Sequence, residues 1–240
     1  MFKRLKKFLI RLLLKLSVVV IILVGIGFYL SPYKYQTPFY RWYYSHSDYK
    51  KLLSEIKIKQ QKLKKEYKEA KTKTEKEKIR KKAQKIFESS FEDVCKYWYG
   101  TKWSYSGTTQ IPGKGKIACG YFVTTILRDL GYPIERIKMA QAASETLIRK
   151  TVEKKYIKLK VNAKFGDFME EVEEMGDGIY ILGLDTHVGF LFIDGTSTHF
   201  IHSSNGILKG VRNQMAFSSA TIKRSKYRVA GQIQIEKWLE

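Results

Sequence analysis

The sequence predicts an α+β domain preceded by a transmembrane helix and a lysine-rich helical stalk. Three observations support this: an uncharged stretch near the N-terminus, a lysine tract without Gly or Pro, and helical patterns followed by short strand-like runs. At 240 residues the chain can hold one domain of ordinary size plus accessories. The predicted divisions are a cytoplasmic basic segment (1–15), a transmembrane helix (16–30), an aromatic interfacial segment (31–49), the stalk (50–86) and the compact domain (87–240).

The N-terminal region predicts the compartment. Six cations and no acid precede the uncharged residues 16–30, and counting back to Leu12 gives close to the ~20 residues that span a bilayer. The cation excess keeps the N-terminus in the cytoplasm and sends the remainder across the cytoplasmic membrane, while the Tyr and Trp residues of 31–49 are typical of an interfacial belt. A cleaved secretory signal is the alternative.

The charge of the chain indicates anionic partners. With 45 basic and 23 acidic residues, the formal net charge is +22. Anionic lipid and acidic wall polymers both fit this charge, whereas the predicted location outside the cytoplasm disfavours nucleic acid. Within 50–85, sixteen basic residues face five acidic ones, and apolar residues recur at helical spacing. The tract reads as a solvated amphipathic stalk or as one that lies against an anionic surface.

The compact domain begins with helices and ends with strands. Helical patterns are expected at 87–100, after Cys119, at 140–153 and at 165–175. The last part has a period of two in three apolar runs, 178–184, 187–194 and 198–204, separated by turn residues. These runs predict an antiparallel meander with helices packed on one side of the sheet.

The two cysteines, Cys95 and Cys119, are too few for a disulfide framework, although one bridge is possible. Cys95 lies inside an apolar helical run, which favours core packing. Cys119 stands at the start of a helix, where the free N–H groups stabilise a thiolate and lower the pKa of the thiol. A core residue, half of a disulfide and a nucleophile all remain open for Cys119.

A cysteine nucleophile requires a base, and histidine is the usual one. His187 opens one strand-like run, and His199 and His202 lie in the next. Strand alternation puts His199 and His202 on opposite faces, and it makes His187 and His202 cross-strand neighbours if the register allows. Of these two, His202 is expected to point at the cysteine helix. A zinc site is the weaker hypothesis, because close-spaced ligand pairs are missing.

Four motifs in order resemble the NlpC/P60 family of papain-like cysteine peptidases. They are GTKWSYSG, ACGYF, GDGIYILGLDTHVGFLFIDG and FIHSS, and their best part is the ordered set Cys119, Asp177, His187 and His202. The resemblance covers roughly half of the chain. It implies a papain-like α+β fold without a cofactor or metal, with Cys119 as nucleophile, His187 as base and His202 as the orienting residue. It further implies cleavage of amide bonds, most often in peptidoglycan stem peptides.

The chain departs from the family pattern beside the nucleophile. The family has Asp-Cys-Ser-Gly, whereas this chain has Ala118-Cys119-Gly120-Tyr121 and so lacks two groups that contact the free amino end of a peptide in relatives. Trp103 stands where the family tyrosine falls, and Tyr105 could supply a hydroxyl near the oxyanion. Trp103, Tyr105 and Gly120 are therefore the candidates for substrate or oxyanion contact.

The leading hypothesis is a membrane-anchored extracytoplasmic cysteine hydrolase that acts on peptidoglycan peptides. One alternative is a weak or inactive papain-like domain that binds wall polymer or a partner protein. The other is an amidase, transpeptidase or acyl transferase on the same fold. A reactive thiol at Cys119 would favour an enzyme, and an inert or bridged thiol would favour the binding module.

Overall fold

The computed structural model describes residues 2–30, 46–206 and 209–240. Helix α1 spans Phe2–Leu30, and its side chains are described for residues 12–27, which are all exposed. Within the described residues, no helix combines the length and the apolar character needed to cross a membrane. The transmembrane helix at 16–30 therefore stays a prediction, and most of the predicted interfacial segment, residues 31–45, lies outside the described residues.

The lysine tract forms a helical hairpin. Its two helices are α2 (His46–Glu69) and α3 (Lys73–Trp98). Thr72 caps α3: its hydroxyl accepts from the Glu75 backbone N–H at 3.1 Å, and the Glu75 carboxylate accepts from the Thr72 N–H at 3.0 Å. This reciprocal pair satisfies donors that a helix start leaves free, so it fixes the turn between the helices.

The hairpin is built into the core of the domain. Ile56 and Leu63 of α2 are buried in the same apolar cluster as Phe91 of α3. The Gln60 side-chain amide donates to the carbonyl oxygens of Gly131 and Trp238 at 3.0 and 2.8 Å. The lysines face solvent while the apolar stripe faces the domain, so the tract does not project as a separate stalk. The expected boundary between residues 86 and 87 falls inside the continuous helix α3.

The start of α2 is tied to the same core by a buried polar chain. The Tyr49 hydroxyl donates to the Asp129 carboxylate at 2.5 Å and accepts from the Trp98 indole N–H at 2.8 Å. Both aromatic side chains are buried. Each buried polar group thus has a partner, which is the condition for keeping such groups inside a core.

The second half of the chain forms a six-stranded antiparallel sheet. Its strands are β1 (Ile157–Val161), β2 (Gly178–Leu184), β3 (Val188–Ile193), β4 (Thr198–Ser204), β5 (Gly210–Met215) and β6 (Tyr227–Gln232). Their spatial order is β1-β6-β2-β3-β4-β5. The predicted α+β class and the antiparallel meander β2-β3-β4 are confirmed. Strands β1, β5 and β6 extend that meander on both sides.

The remaining described helices are α4 (Cys119–Asp129), α5 (Arg136–Ala140), α6 (Ser144–Thr151), α7 (Phe165–Glu173), α8 (Ala220–Arg224) and α9 (Ile235–Leu239). Helices were expected in three of these places, after Cys119, at 140–153 and at 165–175. The second of these is shorter than expected because Ala143 is extended, with ψ of 145°, and caps α6.

Apolar layers cover both faces of the sheet. Helices α3 and α4 pack on one face, where Phe122 and Phe91 meet Phe190 of β3. On the other face Phe168 of α7 lies in a second buried cluster with Phe200 of β4. The expectation of helices on one side was wrong, because side chains of β2, β3 and β4 are apolar on both faces and each face requires cover.

Candidate functional site

Cys119 is the first residue of α4, as the sequence predicts. The segment before it is held in place: the Ile117 carbonyl accepts from the Ser203 hydroxyl at 2.7 Å, and the Ala118 N–H donates to the Gly107 carbonyl at 2.8 Å. The helix begins at once, since the Phe122 N–H donates to the Ala118 carbonyl at 2.9 Å. The thiol is therefore fixed over the free N–H groups of the first helical turn.

Gly120 has a steric reason to be glycine. A Cβ atom there would meet the backbone carbonyl oxygen of Ala140, the last residue of α5. Helix α5 thus leaves no room for a side chain at position 120. The glycine at this position follows from the close approach of two helices.

Half-buried His187 and fully buried His202 form a hydrogen-bonded pair. His187 Nε2 lies 2.7 Å from His202 Nδ1, and the two rings are nearly perpendicular with centroids 4.9 Å apart. His202 is completely buried and stacks on Phe200 at 4.0 Å between ring centroids. Gly189 makes room for this packing, because a Cβ there would stand 2.8 Å from His202 Cβ.

His202 does not point at the cysteine helix, which corrects the sequence-based expectation. Ser203, its neighbour in β4, points toward the residues before α4, so alternation places His202 on the opposite face with Phe200. His187 precedes β3 and is not bound by its alternation, which lets the His187 ring reach His202. His202 therefore contacts the site through His187.

Arg212 is a residue of this cluster that the sequence analysis missed. It pairs with His202 across β4 and β5. Its Nε–H donates to His202 Nε2 at 3.3 Å, and its terminal NH2 group donates to the Ser204 hydroxyl at 2.9 Å. This contact follows from the register of β5 against β4. The sequence does not predict β5 as a strand, because its residues are mostly polar.

Cys119 and His187 line one cleft of about 870 Å³. Trp103, Tyr105 and Gly120, the candidates for substrate contact, line it too, and Tyr105 is 90% exposed at its edge. The carboxyl end of β4, the start of α4 and the loop before β3 thus meet around one opening. The cleft can hold an extended substrate beside the thiol.

Burial raises the pKa of the Cys119 thiol, contrary to the lowered value expected from its position at a helix start. The backbone N–H groups of Val188, Gly120 and Cys119 itself act in the opposite direction, because they donate to the sulfur and favour the thiolate. Loss of solvent around the sulfur outweighs them. The spacing of residues in the sequence predicts that Cys119 starts a helix, but it does not predict that the Cys119 sulfur is buried.

Both histidines are neutral at pH 7. Burial and then the charge of Arg212 lower the pKa of His187 to about 4. The pKa of His202 is lowered well below its usual range by burial, then by His187 and Arg212. A positive charge on either ring would lose its hydration on burial and would be repelled by Arg212. The resting site therefore holds a neutral imidazole pair and a thiol.

The other singled-out residues lie away from the cleft. His199 is held by the Ser197 hydroxyl and the Asn213 side chain, each at 2.9 Å from a ring nitrogen. Cys95 is a free, fully buried thiol in α3, and Cys119 is also free. Asp177 lies beside Gly195. No cluster of three or more His, Cys, Asp or Glu suited to a metal ion occurs among the described residues.

No family model matches the chain, and no curated protein is similar to it at a significant level.

Proposed function

We propose that the chain is a cysteine hydrolase that cleaves an amide or peptide bond. One observation carries the proposal: the thiol of Cys119 at a helix start shares a cleft with His187, whose Nε2 is paired at 2.7 Å with the buried His202. A nucleophile, a base and an orienting group are the elements of covalent acyl transfer. The resemblance to the NlpC/P60 family assigns the same three residues to these roles.

The reaction proceeds through a thioester. The sulfur of Cys119 attacks the carbonyl carbon, the C–N bond breaks, and the thiol proton passes through His187 to the leaving amine. Water then hydrolyses the thioester and restores the thiol. The backbone N–H of Cys119 can stabilise the oxyanion, and the exposed Tyr105 at the edge of the cleft is the candidate for a second donor.

Peptidoglycan stem peptides are the favoured substrate. The warrant is the family resemblance together with the N-terminal charge pattern, which assigns the domain to the outer side of the cytoplasmic membrane. The position of Ala118 and Gly120 beside the thiol, without a carboxylate or hydroxyl, argues for a substrate that is not held by a free amino end.

Digestion of purified peptidoglycan by the full-length chain, followed by mass spectrometry of the released fragments, tests the function. New peptide termini must appear with the wild type and vanish with Cys119→Ala. Fragments that persist with Cys119→Ala would exclude Cys119 as the nucleophile. Products joined to an added amine would identify a transferase, and loss of a side-chain or terminal amide would identify an amidase.

The two histidines of β4, buried His202 and half-buried His199, provide a pair of variants. We expect His202→Ala to lower turnover at least ~100-fold, since His187 would lose the hydrogen-bond partner at Nε2 that fixes its ring in the cleft. His199→Ala, whose partners are Ser197 and Asn213, is expected to change turnover less than ~5-fold. Melting temperatures measured in parallel separate catalytic effects from unfolding. A larger loss with His199→Ala would contradict these roles.

A binding module without strong catalysis is the second candidate, and the raised pKa of the Cys119 thiol favours it. A thiol that stays protonated at pH 7 is a poor nucleophile. Peptidoglycan that co-sediments with the protein but shows no new termini would support this candidate. Cleavage at a measurable rate would exclude it.

The lysine face of the α2–α3 hairpin is proposed to hold the domain against an anionic polymer or lipid. Most of its lysines are exposed while its apolar stripe is buried. Binding to anionic-lipid vesicles should fall steeply as salt is raised, because exposed charges are screened over ~8 Å at physiological ionic strength.

A triple variant Lys57→Gln/Lys59→Gln/Lys62→Gln on α2 should bind such vesicles several-fold more weakly. The matched control Lys114→Gln/Lys150→Gln/Lys154→Gln removes the same charge from other exposed positions. Equal loss in both triples would mean that net charge alone, and not the hairpin, determines the binding.

A further inference from the structure

Arg212 constrains where the protons of the histidine pair lie. A guanidinium carries hydrogen on every nitrogen and has no acceptor, so its Nε–H can only donate to His202. His202 Nε2, at 3.3 Å, must then be the acceptor. A neutral imidazole has one donor and one acceptor nitrogen, which leaves the hydrogen of His202 on Nδ1.

The same reasoning extends to His187. His202 Nδ1–H lies 2.7 Å from His187 Nε2 and donates to it. His187 Nε2 is then the acceptor, and the single hydrogen of neutral His187 is on Nδ1. Arg212, His202 and His187 thus donate in one direction, from β5 toward the cleft.

We infer that Arg212 is a positioning residue that sets this direction, and thereby holds the hydrogen of neutral His187 on Nδ1. The meaning for catalysis rests on the proposed function, whereas the proton arrangement does not. A base with hydrogen already on Nδ1 cannot take the thiol proton there. To do so, both rings must move their hydrogens to Nε2, and His202 Nε2–H would then oppose the Nε–H of Arg212. Within the proposed mechanism, Arg212 therefore keeps His187 from accepting the thiol proton until its contact with His202 is released.

The charges around the pair agree with this arrangement. His202 on β4 is bonded to His187, Arg212 on β5 is bonded to His202, and Cys119 at the start of α4 lines the same cleft as His187. Arg212 lowers the pKa of both imidazoles, which opposes a thiolate–imidazolium pair. The Ser204 hydroxyl accepts a second bond from Arg212 and fixes the guanidinium in this orientation.

Two-bond ¹H–¹⁵N correlation spectra of the ¹⁵N-histidine-labelled full-length chain test the inference, with His199→Ala and His202→Ala used for assignment. The wild type should show His187 and His202 as Nδ1–H tautomers. Arg212→Gln removes the donor-only guanidinium and its charge and offers a carbonyl acceptor to His202, so an Nε2–H population should appear in the pair. Arg212→Lys, which still donates, should retain Nδ1–H.

The pH dependence of iodoacetamide reaction at Cys119 is the second measurement. In Arg212→Gln, the pH at which the reaction of Cys119 is half-maximal should fall by at least ~1 pH unit. Below both midpoints, the variant should therefore react ~10-fold faster than the wild type. Arg212→Lys should leave the midpoint near the wild-type value. An Nε2–H tautomer at His187 in the wild type, or an unchanged midpoint in a folded Arg212→Gln protein, would overturn the inference. If Arg212→Gln does not fold, the wild-type tautomer decides alone. Neither measurement depends on hydrolysis, so an inactive protein with Nδ1–H histidines would refute the proposed function and leave this inference standing.

Discussion

Substitution of Gly189 by alanine tests whether the histidine pair depends on the close packing of β3 against β4. A methyl group at this position would stand 2.7 Å from a ring carbon of Phe200, 2.8 Å from His202 Cβ and 3.0 Å from the Ile201 carbonyl oxygen. Carbon atoms prefer a separation of about 3.5–4.0 Å. Phe200 and His202 are fully buried, and β4 is hydrogen-bonded on both sides, so none of the three can withdraw freely.

Overpacking of this kind costs about 1–3 kcal/mol, and we expect the upper end for Gly189→Ala. For a domain of this size, a loss of about 3 kcal/mol lowers the melting temperature by about 6–12 °C. Gly166→Ala is the matched control, because no atom lies within 4 Å of its added methyl. It should stabilise the protein by about 0.4–1 kcal/mol through the unfolded chain. Thermal unfolding followed by circular dichroism measures both, and an unchanged melting temperature for Gly189→Ala would refute the packing argument.

Two further outcomes are expected. Cys119 should react with iodoacetamide faster than Cys95 at every pH, since burial raises the pKa of Cys95 further. Both thiols should react slowly at pH 7. The reaction of Cys119 should become faster as the pH rises, because the reactive thiolate is populated only as the pH approaches the raised pKa of Cys119. Labelling followed by peptide mass spectrometry measures this, and equal rates would contradict the burial difference. Thr72→Ala should lower the free energy of unfolding by about 1 kcal/mol, through loss of the helix cap. Urea unfolding tests it, with Thr74→Ala, an exposed position in the same helix turn, as the control.

The part of the fold that the sequence predicts is the part with a clear period. Strands β2 to β4 have sharp boundaries at Gly, Asp and Asn residues, and their meander follows from short connections. β5, with the sequence GVRNQM, is polar at an edge of the sheet and has no such pattern. β1 was missed for a similar reason, because its lysines suggest solvent rather than a strand.

The grouping of the candidate residues was more predictable than their protonation. Cys119, His187 and His202 come together as their order in the sequence suggests. Their protonation depends on burial by distant parts of the chain and on Arg212, whose contact exists only once β5 is in register with β4. Local patterns carry no information on solvent removal, so the expected fall in the pKa of Cys119 was wrong in direction.

The bonds of Tyr49 define where a mechanical load enters the domain. A pull on the chain before His46 reaches α2 first, and Tyr49 passes it to Asp129 at the last residue of α4 and to Trp98 at the end of α3. Cys119 is at the opposite end of α4, about 15 Å away at 1.5 Å per residue. A load on the N-terminal side of α2 would therefore reach α4 at the end remote from the thiol.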